Sequence, residues 1–319
     1  MVYKDKVNDN NKNTGQIKMI GNYFSRFSVF STGIERKIGR VVGGFLFLFV
    51  LSCTPEPPKS PSAYISEVFE YVYAPGQHAA SAKSSETANF TGKPDNTKGV
   101  LYLGGFGGYV VAGFDHDIVN GEGADFEIYS YGAMPEPAIV YVMRDDNADG
   151  FPNDTWYELK GNQFENSIRN YTVCYYKPAS SDSNVAWKDN QDGHGELISG
   201  YGGSCSALWW WSETESDSIV LSGTRLPDAY NNQSSETEQY WTVSKNCFTW
   251  GYAENPYGED YDSEVRANKL DISNAVDENG KLVELSKIRF IKVQTGIFQR
   301  AGWLNEISSE LCGAKDLRQ

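Results

Sequence analysis

Residues 100–114 read VLYLGGFGGYVVAGF, two apolar segments on either side of a glycine-rich cluster. Their aromatic and β-branched residues favour pleated strands, and glycine allows the chain to bend sharply between them. The cluster, residues 104–108, does not end in the Lys-Ser or Lys-Thr pair of a phosphate-binding loop, and no helical pattern follows it. We therefore predict a bend between two strands rather than a nucleotide site.

The same alternation recurs along the rest of the chain. Short segments of alternating apolar and polar residues are separated by turn residues, and none has a sustained helical period. Besides the two strands that flank the glycine cluster, the predicted strands cover residues 66–73, 125–131, 138–144, 155–160, 171–177, 218–224, 288–295 and 303–311. This pattern predicts an all-β fold of antiparallel sheets packed face to face, a jelly-roll-like β-sandwich. No composition break follows residue 63, so residues 64–319 are expected to form a single domain.

The chain is strongly acidic. Its 42 Asp and Glu residues outnumber its 28 Lys and Arg residues, and the formal net charge is −14. A nucleic-acid partner is not expected, because phosphates are neutralised by a basic surface and this chain has the opposite balance. The composition suits cation binding or solubility outside the cell.

Cys53 follows the longest apolar run of the sequence, residues 41–52, which is itself preceded by a basic flank at residues 36–40. A basic flank, an apolar run too short to cross a bilayer and a small residue before the cysteine are typical of a secretory signal. Residues 50–53, VLSC, resemble a lipobox, in which the cysteine is acylated and becomes the mature N-terminus. We predict that residues 1–52 are removed and that Cys53 carries the lipid anchor.

Residues 53–63 are rich in proline and serine, the composition of an extended tether. Thr54, next to the cysteine, is not the aspartate that retains many lipoproteins at an inner membrane. Anchor and tether together predict a domain held at the outer membrane, with the cell surface favoured over the periplasmic face. The alternative is a cytosolic protein in which the apolar run is a buried segment.

Four further cysteines follow Cys53, namely Cys174, Cys205, Cys247 and Cys312. In an exported protein they could form two disulfides, and their spacing does not distinguish the three pairings. They could equally be free thiols that pack as small apolar side chains. None has CxxC spacing and the chain has 3 histidines, so a zinc site of cysteine and histidine is not expected.

The clearest chemical signal is the acidic loop, residues 145–154, which reads DDNADGFPND between two predicted strands. Asp145, Asn147 and Asp149 occupy alternate positions before Gly150. Calcium loops use this spacing to place side-chain oxygens around one cation, and the glycine permits the sharp turn. The loop therefore predicts a Ca²⁺ site that is built between strands instead of helices.

Asp154 and Glu158 are the remaining oxygen donors near the acidic loop. The loop is not an EF-hand, because its twelfth position, which would need a bidentate glutamate, is Trp156. The alternative is a solvated turn, since Asn, Asp and Gly dominate turns in any case. The predicted Ca²⁺ ligands are Asp145, Asn147, Asp149 and Asp154.

A second acidic stretch, residues 115–125, has a similar composition but lacks the alternate spacing. Its Asn120-Gly121 pair is typical of a tight β-hairpin turn. We therefore predict a hairpin here, with Asp115, Asn120 and Asp125 as additional oxygen donors only if the neighbouring strands bring their ends towards the acidic loop.

Aromatic residues are frequent between residues 201 and 252, a part of the chain that is rich in loops. Flat rings in loops can stack on sugars or on a macrocycle. The alternative is burial, because large aromatic side chains are usually mostly buried, and at least one of the three consecutive tryptophans is expected in the core. The predicted ligand-binding residues are Tyr201, Trp209, Trp210, Trp211, Trp250 and Tyr252.

Segments in consistent order between residues 64 and 311 also carry a family resemblance. They are residues 71–77, 103–116, 136–143, 149–159, 170–173, 248–252, 271–277, 290–296 and 302–308. Together they resemble a family of cell-surface lipoproteins from Bacteroidota, labelled cell-surface or PKD-like proteins. Some members are encoded beside TonB-dependent transporters, including corrinoid-uptake systems. The resemblance implies a surface protein that acts with such a transporter, and it supplies no catalytic residues.

Three functions remain open at this point. The favoured one is a non-catalytic module that captures a nutrient, either a corrinoid such as cobalamin or a glycan, for a TonB-dependent transporter. The second is a carbohydrate-binding or adhesive surface protein. The third is a glycan hydrolase with paired carboxylates, but no serine-elbow, zinc-protease or cysteine-histidine motif is present, so we predict no catalytic residues and no enzyme activity.

Overall fold

The computed structural model describes residues 60–76, 84–95, 97, 99–132, 134–180, 183–198, 216–234, 241–299 and 307–319. All of them belong to one compact unit, Pro58–Gln319. The predicted lipid anchor Cys53 lies outside the described residues. Within the described ranges, no helix has the length and apolar character needed to cross a membrane.

The described residues form seventeen strands. These are β1 (Glu67–Val72), β2 (Leu101–Tyr102), β3 (Tyr109–Val119), β4 (Phe126–Ser130), β5 (Ala138–Met143), β6 (Trp156–Leu159), β7 (Ile168–Tyr176), β8 (Val185–Asp189), β9 (His194–Leu197), β10 (Ser218–Arg225), β11 (Tyr230–Asn232), β12 (Trp241–Val243), β13 (Tyr261–Asp262), β14 (Ala267–Leu270), β15 (Ala275–Val276), β16 (Lys287–Thr295) and β17 (Glu310–Asp316). Short 3-10 helices cover Ser84–Phe90, Phe164–Asn166 and Ile272–Asn274. This part of the chain contains no α-helix, so the all-β prediction is confirmed.

Two large antiparallel sheets form a sandwich. The six-stranded sheet has the order β1-β3-β16-β5-β6-β15, and the five-stranded sheet has the order β13-β14-β4-β17-β2. Alternate residues of each strand point to the same face. One buried core therefore collects Ala112 and Phe114 of β3, Val293 of β16, Ile128 of β4 and Leu311 of β17. Each large apolar side chain buried in this way contributes about 1.5–3 kcal/mol to stability.

A four-stranded sheet of order β10-β7-β8-β9 covers the other face of the six-stranded sheet. Gln294 of β16 points away from the main core, and its amide donates a hydrogen bond of 3.0 Å to the carbonyl of Ser222 in β10. A Cβ on Gly223 would lie 1.9 Å from the Gln294 amide oxygen, so only glycine allows this close approach. β11 and β12 form a separate two-stranded sheet.

The glycine-rich cluster links the two large sheets, because β2 belongs to the five-stranded sheet and β3 to the six-stranded one. Gly104 and Gly107 have φ values of +71° and +90°, which side chains rarely adopt. A Cβ on Gly104 would also lie 2.0 Å from the carbonyl oxygen of Ala74. Phe106, between the glycines, is buried under the four-stranded sheet. The predicted bend between strands is confirmed.

The hairpin predicted at Asn120-Gly121 is wrong. β3 pairs with β1 and β16, whereas β4 pairs with β14 and β17, so the two strands lie in different sheets. The N–H of Asn120 donates to the carbonyl of Ser286 at 2.9 Å, and its side-chain amide donates to the carbonyl of Leu285 at 2.8 Å. The turn residues therefore connect two layers, because both strands bury apolar faces across the sandwich instead of pairing edge to edge.

Two other details of the strand prediction also change. β8, β9 and the short strands β11 to β15 were not predicted at all. The strand predicted at residues 303–311 begins, among the described residues, at Glu310 and extends to Asp316, and residues 300–306 lie outside the described ranges.

Cys174, Cys247 and Cys312 are free thiols. Cys205 lies outside the described residues. Burial raises the pKa of the Cys312 thiol to about 11, with a further contribution from the negative charge of Glu310. The three described cysteines thus form no disulfide with one another, and Cys312 is a buried thiol of the kind that packs as a small apolar group.

Candidate functional site

The acidic loop connects β5 and β6. The carboxylate of Asp145 accepts hydrogen bonds from the backbone N–H groups of Asp149, at 3.1 Å, and Gly150, at 3.0 Å. The amide oxygen of Asn147 accepts from the same N–H of Asp149 at 2.9 Å. Gly150 has a φ of +78°, as the sharp turn requires. Three of the four predicted Ca²⁺ ligands therefore meet at one turn.

Asp154 holds the other end of the acidic loop, where its carboxylate accepts the N–H of Asp146 at 2.9 Å. Glu158 does not join the loop, because its carboxyl group accepts a hydrogen bond of 2.5 Å from the hydroxyl of Thr224. Arg289 does reach it, with its Nε 4.0 Å from Asp145 Oδ2. The loop thus offers the carboxylate and amide oxygens that Ca²⁺ prefers, and one of its carboxylates also faces an arginine.

Asp149 remains charged at neutral pH. The side-chain amide of Asn153 donates to its carboxylate at 2.8 Å, and the N–H of Phe151 does so at 2.8 Å. These two hydrogen bonds, the first being the larger contribution, lower the pKa of Asp149 because they stabilise its ionised form. A carboxylate that stays ionised is the form in which Asp149 could coordinate a cation.

A second acidic group is buried. One carboxylate oxygen from each of Glu136, Glu254 and Glu310 lies within 4.8 Å of the others, and we refer to these residues as the glutamate cluster. Glu254 and Glu310 are 1% and 9% exposed. The N–H of Glu310 donates to the carboxylate of Glu254, and the N–H of Ser308 donates to that of Glu136 at 3.2 Å. The cluster has enough oxygens to contribute to a site for a divalent cation.

Protonation is the other way in which the glutamate cluster can be neutralised. Burial first, and then the nearby carboxylates of Glu136 and Glu310, hold the pKa of Glu254 well above its usual range. Burial raises the pKa of Glu310 to about 7. These carboxyl groups therefore retain protons at pH values at which an exposed glutamate is ionised.

The predicted ligand-binding aromatic residues fall into two groups. Tyr201 and Trp209–Trp211 lie outside the described residues. Tyr252 is 1% exposed, its ring packs edge-on against Phe248, and its hydroxyl accepts a backbone hydrogen bond of 3.0 Å. A ring enclosed in this way packs the core and is not available to stack on a ligand at the surface. Trp250 is half-buried and lines a shallow surface pocket.

A different set of rings forms a pocket between the four-stranded sheet and residues 297–299. Its walls include Phe106, Tyr175, Trp187 and Phe298, and its volume is about 180 Å³. The Phe298 centroid lies 4.8 Å from that of Trp187, 5.6 Å from that of Phe106 and 6.1 Å from that of Tyr175. These are normal distances for aromatic pairs. We refer to this site as the aromatic pocket, and its size suits one ring-sized group.

Gln299 and Arg225 are polar residues that line the aromatic pocket. Gln299 is 6% exposed, and its amide oxygen accepts the N–H of Ala229 at 2.6 Å. Its Nε2 has no hydrogen-bond partner among the described residues. The guanidinium of Arg225 lies 5.5 Å from the centroid of Phe298 and is paired with Asp228 at 3.2 Å. A buried donor without a partner costs about 1–3 kcal/mol, which a ligand acceptor that reaches Nε2 would offset.

The sequence did not predict Trp187, Phe298 or Gln299 as ligand-binding residues. A weak signal existed for Trp187, because Val185 and Trp187 are large apolar residues at alternate positions of the sequence VAWKD. Phe298 and Gln299 follow β16 without any local pattern that marks them. Their position in the pocket depends on contact with strands that are distant in sequence, which no local pattern records.

Comparison of the chain with known protein families gave no match, and no curated protein sequence matches it. The resemblance to cell-surface lipoproteins of Bacteroidota therefore stays a prediction. The assignment of a candidate site rests on the geometry of the aromatic pocket and of the acidic loop.

Proposed function

We propose that the protein is a non-catalytic binding module that captures a small nutrient in the aromatic pocket. The observation that carries this proposal is the buried side-chain amide of Gln299, whose Nε2 has no partner among the described residues and which lies beside a set of aromatic rings. Rings bind the apolar faces of flat ligands, and a donor among them orients a hydroxyl or carbonyl oxygen.

A glycan is the favoured ligand class. The pocket volume of about 180 Å³ suits a single sugar ring, whereas a corrinoid macrocycle could enter it only in part. Sugars also present both features that the pocket offers to bind, since each has an apolar face and several hydrogen-bond acceptors. A corrinoid remains the second ligand to be tested.

The location of this module at the outer membrane is part of the same proposal. Lipid attachment at Cys53 would hold the domain at the outer membrane, and the tether of residues 53–63 would keep it clear of the bilayer. A captured ligand could then pass to a TonB-dependent transporter in the same membrane. The support for this setting is the VLSC sequence at residues 50–53 and the family resemblance.

Ca²⁺ belongs to the proposal as a structural cofactor of the acidic loop, with Asp145, Asn147, Asp149 and Asp154 as ligands. Its support is the convergence of the first three residues at one turn and the ionised state of Asp149. A bound cation would tie the ends of β5 and β6 together through the loop that joins them.

Binding to the aromatic pocket can be measured by calorimetric titration with a panel of glycans and cobalamin. We expect a glycan to bind the wild type and Trp187→Leu to weaken that binding by about tenfold, because a stacking ring is lost. Tyr257→Leu is the control, since Tyr257 is an exposed aromatic residue that lies outside the pocket. No binding of any panel member, or equal binding by Trp187→Leu and the wild type, would refute the proposal.

A further inference from the structure

A second cavity lies between the six-stranded and four-stranded sheets. Tyr141, Glu158 and Lys292 line it from the six-stranded sheet, residues 222–224 of β10 line it from the other side, and its volume is about 290 Å³. We refer to it as the inter-sheet cavity. It shares no lining residue with the aromatic pocket among the described residues, so the two sites can be tested separately.

Strand register sets a row of polar side chains along this cavity. Lys292 of β16 is the direct partner of Tyr141 in β5, and Tyr141 is the direct partner of Glu158 in β6. Directly opposite residues on neighbouring strands point to the same face of a sheet, with Cβ atoms about 4.5–5.5 Å apart. An amine, a phenol and a carboxyl group therefore stand side by side on one wall.

Lys292 and Arg169 are the cations that line the inter-sheet cavity. Neither has a carboxylate within ion-pair distance among the described residues, where the pairs formed by other cations measure 4.0 Å or less. Lys292 Nζ instead lies 4.2 Å from the ring centroid of Tyr109, and the Arg169 guanidinium lies 4.6 Å from that of Phe164. Aromatic faces attract these cations without forming an ion pair. Carboxylates act on both cations from beyond ion-pair distance, Glu70 on Lys292, and Glu158 and Glu165 on Arg169.

The lack of ion pairs is unexpected in a chain with 42 acidic and 28 basic residues. Lys287, on the same strand as Lys292, is paired with Asp117 at 2.6 Å. Two carboxylates besides Glu158 line the cavity, but Asp277 accepts two backbone N–H groups of its own turn, at 2.8 and 3.0 Å, and Glu278 is exposed. Both cations can therefore form a direct ion pair with an anion that enters the cavity.

Glu158 cancels only part of this positive charge at neutral pH. Burial raises its pKa to about 7, against the opposing effects of the Thr224 hydrogen bond and of the Arg169 charge. A large fraction of Glu158 is therefore protonated near neutral pH. Burial also lowers the pKa of Lys292, and an anion bound beside it would favour its charged form.

We propose that the inter-sheet cavity is a second binding site, which takes the carboxylate of an acidic sugar of the uronic-acid class between Lys292 and Arg169. Hydrogen bonds from these cations to a carboxylate are roughly twice as strong as neutral ones. The rings of Tyr141 and Trp156, which also line the cavity, provide apolar surface for the face of a sugar ring. This site does not depend on ligand binding in the aromatic pocket.

The probe for this proposal is D-glucuronate, with D-glucose as the neutral analogue, titrated into the purified protein by calorimetry. We expect the wild type to bind glucuronate and to bind glucose at least about tenfold more weakly. Lys292→Met should lose about tenfold or more in glucuronate affinity, because it keeps the apolar stem and removes the charge. Lys287→Met, a lysine substitution on the same strand outside the cavity, should bind as the wild type does.

Arg169→Met provides an independent variant if Lys292→Met does not fold, and it should weaken glucuronate binding in the same way. The proposal is overturned if the wild type does not bind glucuronate, or if it binds glucose equally well. It is also overturned if the variant that folds binds glucuronate as tightly as Lys287→Met does. Trp187→Leu, which alters only the aromatic pocket, should leave glucuronate binding unchanged, so failure of the proposed function and failure of this site give different results.

Discussion

The acidic loop and the glutamate cluster contain similar side chains in opposite surroundings. Asp149 in the loop is exposed, and hydrogen bonds from its neighbours lower its pKa. Glu254 and Glu310 in the cluster are buried, and burial raises their pKa. The charge of a group of acidic residues therefore depends on its surroundings, because desolvation opposes ionisation and hydrogen-bond donors favour it.

The largest expected effect is a loss of stability with rising pH that originates in the glutamate cluster. The pKa of Glu310 rises from 4.5 to about 7 on folding, so the unfolded chain releases this proton first and stability falls between these pH values. A shift of this size corresponds to about 3 kcal/mol, and Glu254 acts in the same direction. We expect Glu310→Gln to reduce the loss, as measured by urea unfolding across this range. If the free energy of unfolding of Glu310→Gln depends on pH as that of the wild type does, the raised pKa of Glu310 is contradicted.

Glu158 isolates the effect of burial from that of neighbouring charges. Burial is the leading cause of its raised pKa, and no neighbouring carboxylate contributes to it. Its pKa also rises from 4.5 to about 7, so it stabilises the fold at low pH and this contribution, up to about 3 kcal/mol, is lost as the pH rises to 7. Glu158→Gln should remove that part of the pH dependence in the same unfolding experiment. If the free energy of unfolding of Glu158→Gln falls with pH as steeply as that of the wild type, burial does not raise the pKa of Glu158 as described.

Ca²⁺ binding tests the exposed carboxylates of the acidic loop. Binding at the acidic loop would stabilise the folded protein by about 2–3 kcal/mol when Ca²⁺ exceeds its Kd about a hundredfold. We expect Asp149→Asn to lower the melting temperature more in Ca²⁺ than in a chelator, because the substitution removes a charged ligand. Asp146→Asn is the matched control, as Asp146 lies in the same loop, is paired with Arg144 and is not a predicted ligand. Equal shifts of Asp149→Asn in both conditions would leave only a turn role for this residue.

The smallest expected effect concerns the backbone of the acidic loop. Ala148 has a φ of +57°, a conformation that costs a residue with a Cβ about 1–2 kcal/mol. Ala148→Gly should therefore stabilise the protein by up to about 1 kcal/mol, once the greater freedom of glycine in the unfolded chain is included. The midpoint of urea unfolding would reveal this gain. A lower midpoint would show that the loop holds Ala148 without strain.

The strands that local pattern predicted well are those with strongly buried residues. The segments at residues 138–144 and 288–295 correspond to β5 and β16, in the middle of the six-stranded sheet. β8 and β9 escaped prediction because they have few buried residues, so their apolar pattern is weak. The strands β11 to β15 escaped it because they have only two to four residues, too few to establish an alternating pattern. The turn signal at Asn120-Gly121 was present, but turn residues do not specify whether the flanking strands pair with each other.

Local periodicity was sufficient for the all-β class, for the bend at residues 104–108 and for the acidic loop, because each depends on residues that are neighbours in the chain. The sites of proposed function required the folded protein. Phe298 meets Trp187, Lys292 meets Tyr141, and Tyr141 meets Glu158 only after distant strands have paired and the sheets have stacked. The same holds for the charge of the buried glutamates, because a side chain's pKa depends on the solvent and partners that folding leaves around it.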